Sequence, residues 1–200
     1  MNKYLPIKNK KIGILGAAKS GIAAANLAKY LEAKIFISDI NDKCENDLNK
    51  FPHELGNHSD KILQSDIIIK SPGIPNDINI LKKIIKYKIP IISEIEFASW
   101  FTNGFIIALT GTNGKTTTVN LINHILSDNN YNSKLGGNIG IPFSVNVLDE
   151  LKNNSNERMY HVLELSSFQL EDIKFFKPHI SIILNISPDH LDHHKNFDDY

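Results

Sequence analysis

The chain has 200 residues, 42% of them hydrophobic, enough for one large domain or two small ones with a proper core. Its 22 basic and 22 acidic residues cancel, and a pI near 7.1 leaves no electrostatic footprint for nucleic acid or an anionic membrane. The single cysteine, Cys44, excludes an internal disulfide; it stands in a polar stretch with no partner at metal-ligand spacing and is expected to be a free surface thiol. No apolar run approaches the roughly 20 residues that span a bilayer, and the charged N-terminus leads only into a short apolar strand. A cytoplasmic protein that binds neither membrane nor nucleic acid is expected.

In chain order, Lys11 to Leu15 reads as a strand, Gly21 to Leu31 as an Ala-rich helix, and Lys34 to Ser38 as a second strand ending at Asp39. Asp66 to Lys70 forms a third strand, stopped by Ser71-Pro-Gly-Ile-Pro75. Asn79 to Tyr87 has helical spacing and leads to a short strand at Ile91-Ile92, and Glu94 to Phe101 reads as a closing helix. Thr102-Asn-Gly104 is the best linker, which places a domain boundary near residue 103. Beyond it come a strand at Phe105 to Leu109, a helix to about Asp128, a Gly-rich turn at Gly136 to Gly140 and a helix from Pro142 to Leu151. Two further strands, Tyr160 to Glu164 and His179 to Leu184, end in polar residues. This alternation predicts an α/β protein of parallel sheets, with ligand sites at the carboxyl ends of the strands. The last residues, to Tyr200, form a polar loop with nothing to complete the sheet, so the chain is read as a truncated part of a longer protein.

Between the fifth predicted strand and its helix lies Ala108-Leu-Thr-Gly-Thr-Asn-Gly-Lys-Thr-Thr-Thr118, a phosphate-binding loop. Its free N–H groups and the helix dipole favour anions. Gly111 and Gly114 let the backbone close around phosphate, Lys115 can reach the β- and γ-phosphates, and the Thr116 hydroxyl can ligate Mg²⁺. Leu109 stands where the general pattern has its first glycine. A glycine turn with a helix cap is the plainer reading, but Lys-Thr-Thr directly after an apolar strand favours a nucleoside triphosphate.

The first strand is followed by Gly16-Ala-Ala-Lys-Ser-Gly21, which resembles the dinucleotide fingerprint with Ala18 in place of its second glycine. The N–H groups of Ala18, Lys19 and Ser20 can hold a diphosphate at the helix N-terminus, and Asp39 stands about 20 residues on, where an acid meets a ribose or base. A diphosphate-bearing nucleotide and NAD fit these residues equally. Glu164, at a strand end near the triphosphate loop, is suited to Mg²⁺ and is followed by Ser166, Ser167 and Gln169, which equally suit hydrogen bonding within a tight loop. His190, His193 and His194 lack the spacing of a zinc cage, and His190, nearest the strand end, is the one placed to face the nucleotide.

Taken together, Thr110-Gly-Thr-Asn-Gly-Lys-Thr-Thr117, Gly136-Gly-Asn-Ile-Gly140, Glu164-Leu-Ser-Ser-Phe-Gln-Leu-Glu171, Asp189-His-Leu-Asp192 and Lys70-Ser-Pro-Gly-Ile-Pro75 resemble the Mur ligase family of bacterial cell-wall synthesis. The first and fourth are shared with folylpolyglutamate synthases, whereas the Glu164 motif and the Ser-Pro-Gly-Ile-Pro turn are similar to those of the D-glutamate-adding branch. The resemblance implies a Rossmann-like domain over 1–103 that binds the UDP substrate, then the first part of a P-loop-type ATPase domain over 104–200. Family members are roughly twice this length, with a third domain and a carbamylated lysine that this chain lacks.

The implied reaction joins D-glutamate to UDP-N-acetylmuramoyl-L-alanine in a monomeric enzyme that uses ATP and two Mg²⁺ ions and passes through an acyl-phosphate. By the same resemblance, Gly111, Thr112, Asn113, Gly114, Lys115, Thr116 and Thr117 hold ATP, Thr116 and Glu164 ligate the first Mg²⁺, and His190 serves the second. Asn138 and Gln169 are implied at the reacting end of the UDP-sugar, Ala18, Lys19, Ser20 and Gly73 at its diphosphate, and Asp39 at its uracil. Asn41 replaces an arginine common in the family, so stacking of the base on a guanidinium is not expected. Two rival readings are a nucleotide-binding module without catalysis and a folylpolyglutamate synthase relative with a pteroate site.

Overall fold

The strands divide between two sheets, and all observed pairings are parallel. The computed structural model describes residues 6–44, 48–153, 155 and 157–188. The first sheet takes β1 (Lys11–Leu15), β2 (Lys34–Asp39), β3 (His53–Leu55), β4 (Ile67–Lys70) and β5 (Ile91–Ser93) in the order β3-β2-β1-β4-β5. The order reverses between β1 and β4, and in open α/β sheets ligands bind outside the carboxyl ends of the strands at such a reversal. Its helices are α1 (Lys19–Tyr30), α2 (Asn79–Lys86) and α3 (Glu94–Ser99). The second sheet takes β6 (Phe105–Thr110), β7 (Ser133–Gly137), β8 (Tyr160–Glu164) and β9 (Ile180–Ile183) in the order β7-β8-β6-β9, with α4 (Lys115–Asp128), α5 (Phe143–Asn153) and α6 (Ser167–Leu170).

The apolar runs form strands because parallel strands covered by helices on both faces need no alternation. All four residues of β4, Ile67–Lys70, are buried, as are the last four of β1. The path leaves the first sheet after Ser93 and enters the second at Phe105, yet one apolar cluster runs through both. It passes from Ile12, Ile14 and Ala24 through Phe97 and Trp100 to Phe143, Val147 and Leu163. Phe97 and Phe143 are fully buried, which for side chains of this size contributes about 2 kcal/mol each. α5, from the second half of the chain, packs on α1 and α3 from the first.

Four expectations are corrected. α1 begins at Lys19 rather than Gly21, because a first helical turn needs only backbone geometry and can precede the buried stripe. β3 and a 3-10 turn at Asp60–Gln64 were not foreseen; β3 is short and polar and exists through its pairing with β2. Gly136 and Gly137 do not lie in a turn but end β7, where ladder bonds to β8 override glycine's low strand propensity. Cys44 is half-buried, with Sγ 3.3 Å from the Ala17 carbonyl oxygen, not a free surface thiol.

Candidate functional site

β6 delivers the chain to the phosphate loop. Gly111 and Gly114 have φ of 145° and 83°, values that favour glycine and turn the loop tightly into α4. Gly114 is the N-cap of α4 and offers no side chain, so no cap group competes for the N–H groups of the first turn. The loop is braced from behind by the segment after β9. Asn185 accepts from Asn113 N–H through Oδ1 and donates from Nδ2 to Asn113 O, both at 2.9 Å, while Thr112 N–H donates to Asn185 O at 3.1 Å. Thr112 Oγ1 donates to Ser187 O and accepts from Ser187 N–H, each at 3.0 Å. Lys115 Nζ folds back to donate to the carbonyls of Gly111 (2.5 Å) and Thr112 (2.9 Å). Thr117 is exposed on the first turn of α4.

Glu164 gathers two other predicted residues, Thr116 and Asn138. The end of β8 pairs with Leu109 of β6 on one side and Gly137 of β7 on the other, which sets the carboxylate beside the start of the phosphate loop. Glu164 is 2% exposed; Oε2 accepts from Thr116 Oγ1 at 2.8 Å and Oε1 from Asn138 Nδ2 at 2.9 Å. Thr116 and Asn138 are both exposed and cover the carboxylate from the solvent side. Thr116 Oγ1 and Glu164 Oε2 are hard oxygen donors held within contact of each other, a donor set that fits Mg²⁺. Among the described residues, no group of three or more His, Cys, Asp or Glu is arranged to hold a metal ion. Mg²⁺ does not require one, since it usually keeps water and phosphate oxygens as its other ligands. His190 lies outside the described residues.

Gln169 is buried, and its side-chain oxygen accepts from the N–H of Ser166 (3.1 Å) while Ser166 Oγ accepts from Gln169 N–H. This capping box starts α6 and ties the Gln169 carbonyl into the local turn, the use that the sequence left open beside a substrate role.

At the carboxyl edge of the first sheet a cleft of about 610 Å³ opens where the strand order reverses. Ala18, Ser20, Asp39 and Gly73 line it, whereas Lys19 is exposed and not among the lining residues. Ala18 is the N-cap of α1 and makes no side-chain cap, so the helix presents bare N–H groups there. Asp39 is oriented by the backbone: Oδ2 accepts from Ala17 N–H at 2.6 Å, and Oδ1 from Asn41 N–H at 2.9 Å and Asn41 Nδ2 at 3.0 Å.

His58 also lines the cleft and carries no signal in the sequence. Burial holds its imidazole below the ordinary value despite the nearby charges of Asp39 and Glu54. Its Nδ1 lies 2.8 Å from Ser38 Oγ, which also donates to Glu54 Oε1 at 2.7 Å. Burial raises the Glu54 pKa, but hydrogen bonds from Ser59 and Ser38 outweigh it and hold the carboxylate below its usual range.

The sequence reading named neither Asn185 nor Ser187 as site residues; only the position after a strand end hints at them. The Mur ligase middle-domain family matches residues 109–200, which contain the loop, its brace and Glu164. A UDP-N-acetylmuramoylalanine--D-glutamate ligase of Christiangramia forsetii is 46% identical over 189 residues, covering 92% of this chain. Residues 109–200 belong to the Mur ligase middle-domain family.

A relative of the same name from Elusimicrobium minutum is 44% identical over 210 residues and covers 100% of the chain. The chain spans 41% of the length of the first Mur ligase relative and 45% of the second. The fold is similar to the crystal structure of the UDP-N-acetylmuramate:L-alanyl-gamma-D-glutamyl-meso-diaminopimelate ligase of Neisseria meningitides. There the TM-score is 0.60 at 17% identity, over 94% of this chain and 64% of that one. No helix among the described residues is long and apolar enough to cross a membrane.

Proposed function

We propose that the protein carrying this chain is an ATP-dependent amide ligase that adds D-glutamate to UDP-N-acetylmuramoyl-L-alanine in the cytoplasm, a step of peptidoglycan precursor synthesis. The observation that carries the reading is the meeting of Thr116, Glu164 and Asn138 beside a braced phosphate loop, in a chain 46% identical to a ligase of that name. Residues 1–103 are assigned to the UDP-substrate half and 104–200 to the first part of the ATPase half. The cleft suits a uridine diphosphate: bare N–H groups at the start of α1 suit the diphosphate, and the fixed carboxylate of Asp39 suits hydrogen-bond donors of the base.

In this reading the substrate carboxylate attacks the γ-phosphate of ATP, and the amine of D-glutamate then displaces phosphate from the acyl-phosphate. Transfer between anions depends on positioning and positive charge more than on covalent chemistry by the protein. The loop N–H groups hold the phosphates, and Lys115, released from the Gly111 and Thr112 carbonyls, supplies a mobile cation at the transferring group. A magnesium ion bound at Thr116 and Glu164 would neutralise phosphate charge. Asn138 holds the Glu164 carboxylate in place and, with Gln169, is assigned to the reacting end of the UDP-sugar. His190 is assigned to a second magnesium site.

The test is ADP release from ATP in the presence of UDP-N-acetylmuramoyl-L-alanine and D-glutamate. Lys115→Ala should abolish that release and leave UDP-substrate affinity intact. Normal turnover in the variant, or UDP binding without any ADP release by the unaltered protein, would remove the assignment.

A further inference from the structure

We propose that Lys70 is a positioning residue that fixes the cleft of the first sheet against the Glu164 strand of the second. It thereby sets the span over which a substrate anchored in the cleft presents its reacting end to the phosphate loop. The proposal rests on the ligase reading above.

Lys70 ends β4, and its side chain is 2% exposed. Its Nζ lies 2.9 Å from Asp172 Oδ2, 3.7 Å from Glu171 Oε2 and 2.5 Å from Asn76 Oδ1. Asn76 closes the arrangement by donating from Nδ2 to Glu171 Oε2 at 3.0 Å. Lys70 and Asn76 bracket the turn Ser71 to Pro75, every residue of which lines the cleft. Both ends of that wall are therefore tied to residues 171 and 172, which directly follow α6 and hence the capping box that follows Glu164.

Other bonds hold the same segment. Ser93 N–H donates to Asp172 O at 3.0 Å, and the N–H groups of Lys174, Phe175 and Phe176 donate to Glu96 Oε2 at 2.8, 2.9 and 2.8 Å. Residues 171, 172 and 174–176 belong by sequence to the second half and are tied by these bonds to the first.

A lysine is an expensive way to hold two loops together. A buried ammonium needs compensation for lost hydration, and a well-packed apolar contact often stabilises as well. Apolar packing is non-directional, however, whereas oxygens converging on one Nζ define its position and the register of the loops that carry them. The ligase reaction demands that register. Its substrate must bridge the cleft and the loop, and a misplacement of about 1 Å at the reacting atoms can cost about 100-fold in rate.

The experiment compares unaltered protein with Lys70→Met, Lys70→Arg and the double variant Lys70→Met/Asp172→Asn, which removes the nearer of the two orphaned carboxylate charges. Calorimetry with uridine diphosphate reads the cleft, KM for ATP reads the loop, and kcat is counted per folded molecule. Lys70→Met should lower kcat at least about tenfold, with both affinities changed less than about threefold. Lys70→Arg should recover most of the rate, and the double variant should regain thermal stability without regaining kcat.

A residue that only stabilises the fold would give unchanged kcat per folded molecule, or kcat restored along with stability in the double variant; either result overturns the proposal. So does a loss of uridine diphosphate affinity in proportion to kcat, which would place Lys70 inside the cleft's own binding. Unaltered protein that binds no uridine diphosphate and releases no ADP would overturn the ligase reading and this role with it. That failure is seen before any substitution is made.

Discussion

Thr116 Oγ1 donates to Glu164 Oε2 at 2.8 Å, joining the first turn of α4 to the end of β8 across 48 positions of sequence. The register of β6 against β8, which sets Leu109 opposite Glu164, brings the carboxylate to the loop. Glu164→Gln keeps the size and one acceptor but removes the charge, and Thr116→Ala removes the hydroxyl. Each should reduce ATP-dependent turnover about 100-fold or more, the scale of losing one electrostatic partner of a transition state. Uridine diphosphate affinity, which reads the other sheet, should not move. Steady-state kinetics paired with calorimetry check this, and a parallel fall of both would show that the two sites are not separate.

Gly137 and Gly140 offer a matched pair. Gly137 has φ 98°, and a Cβ there would stand 2.3 Å from the Glu164 carbonyl oxygen; Gly140 has φ 69° with open space around it. Gly137→Ala should cost about 3 kcal/mol or more through combined strain and overlap, and displace the Glu164 carboxylate. Gly140→Ala should cost only the left-handed penalty, about 1 kcal/mol. Urea melts of the two variants decide it, and equal losses would contradict the close approach.

Glu94 caps α5 from the opposite half of the chain, with Oε1 accepting from Ser144 N–H at 2.5 Å. Burial raises its carboxyl from 4.5 to about 7, against hydrogen bonds from Ser144 and Phe143 that lower it. The folded protein therefore binds this proton more tightly than the unfolded chain. Its contribution is fully present below pH 4.5 and is lost as pH rises to about 7, by about 3 kcal/mol at most. Glu94→Gln should flatten the stability profile between those limits, read by thermal melts from pH 5 to 8. A variant that keeps the full slope would assign the pH dependence to another group.

Asp39 holds the Ala17 N–H and the Asn41 carboxamide at the cleft edge. Asp39→Ala should weaken uridine diphosphate binding about tenfold, the scale of one charge-assisted hydrogen bond, and leave ATP KM unchanged. Calorimetry gives the first quantity and kinetics the second; unchanged binding would place the nucleotide elsewhere.

The phosphate loop was legible because its chemistry is local: strand, glycines, lysine and hydroxyls follow one another from Phe105 to Thr118. Glu164 and Asn138 were legible as polar residues at strand and turn ends, though their shared hydrogen bond was not, since register is a property of paired strands. β3 was missed because its three residues carry no periodic signal and depend on β2 for their conformation. His58 was missed for a related reason: nothing near it in sequence shows that the end of β2 stands beside it.

Sequence by itself determined the alternation of strands and helices, the parallel sheets and the glycine-rich loop between β6 and α4, because hydrophobic period and backbone-specific residues act within a few positions. Tertiary structure decided which side chains face one another. Lys70 reads as the polar end of a strand, Glu94 and Glu96 as the acidic start of a helix, and Asn185 as a loop residue. Lys70, Glu94 and Glu96 become ties between distant segments because burial removes water as the alternative partner, whereas Asn185, still exposed, ties to Asn113 through its paired amide bonds.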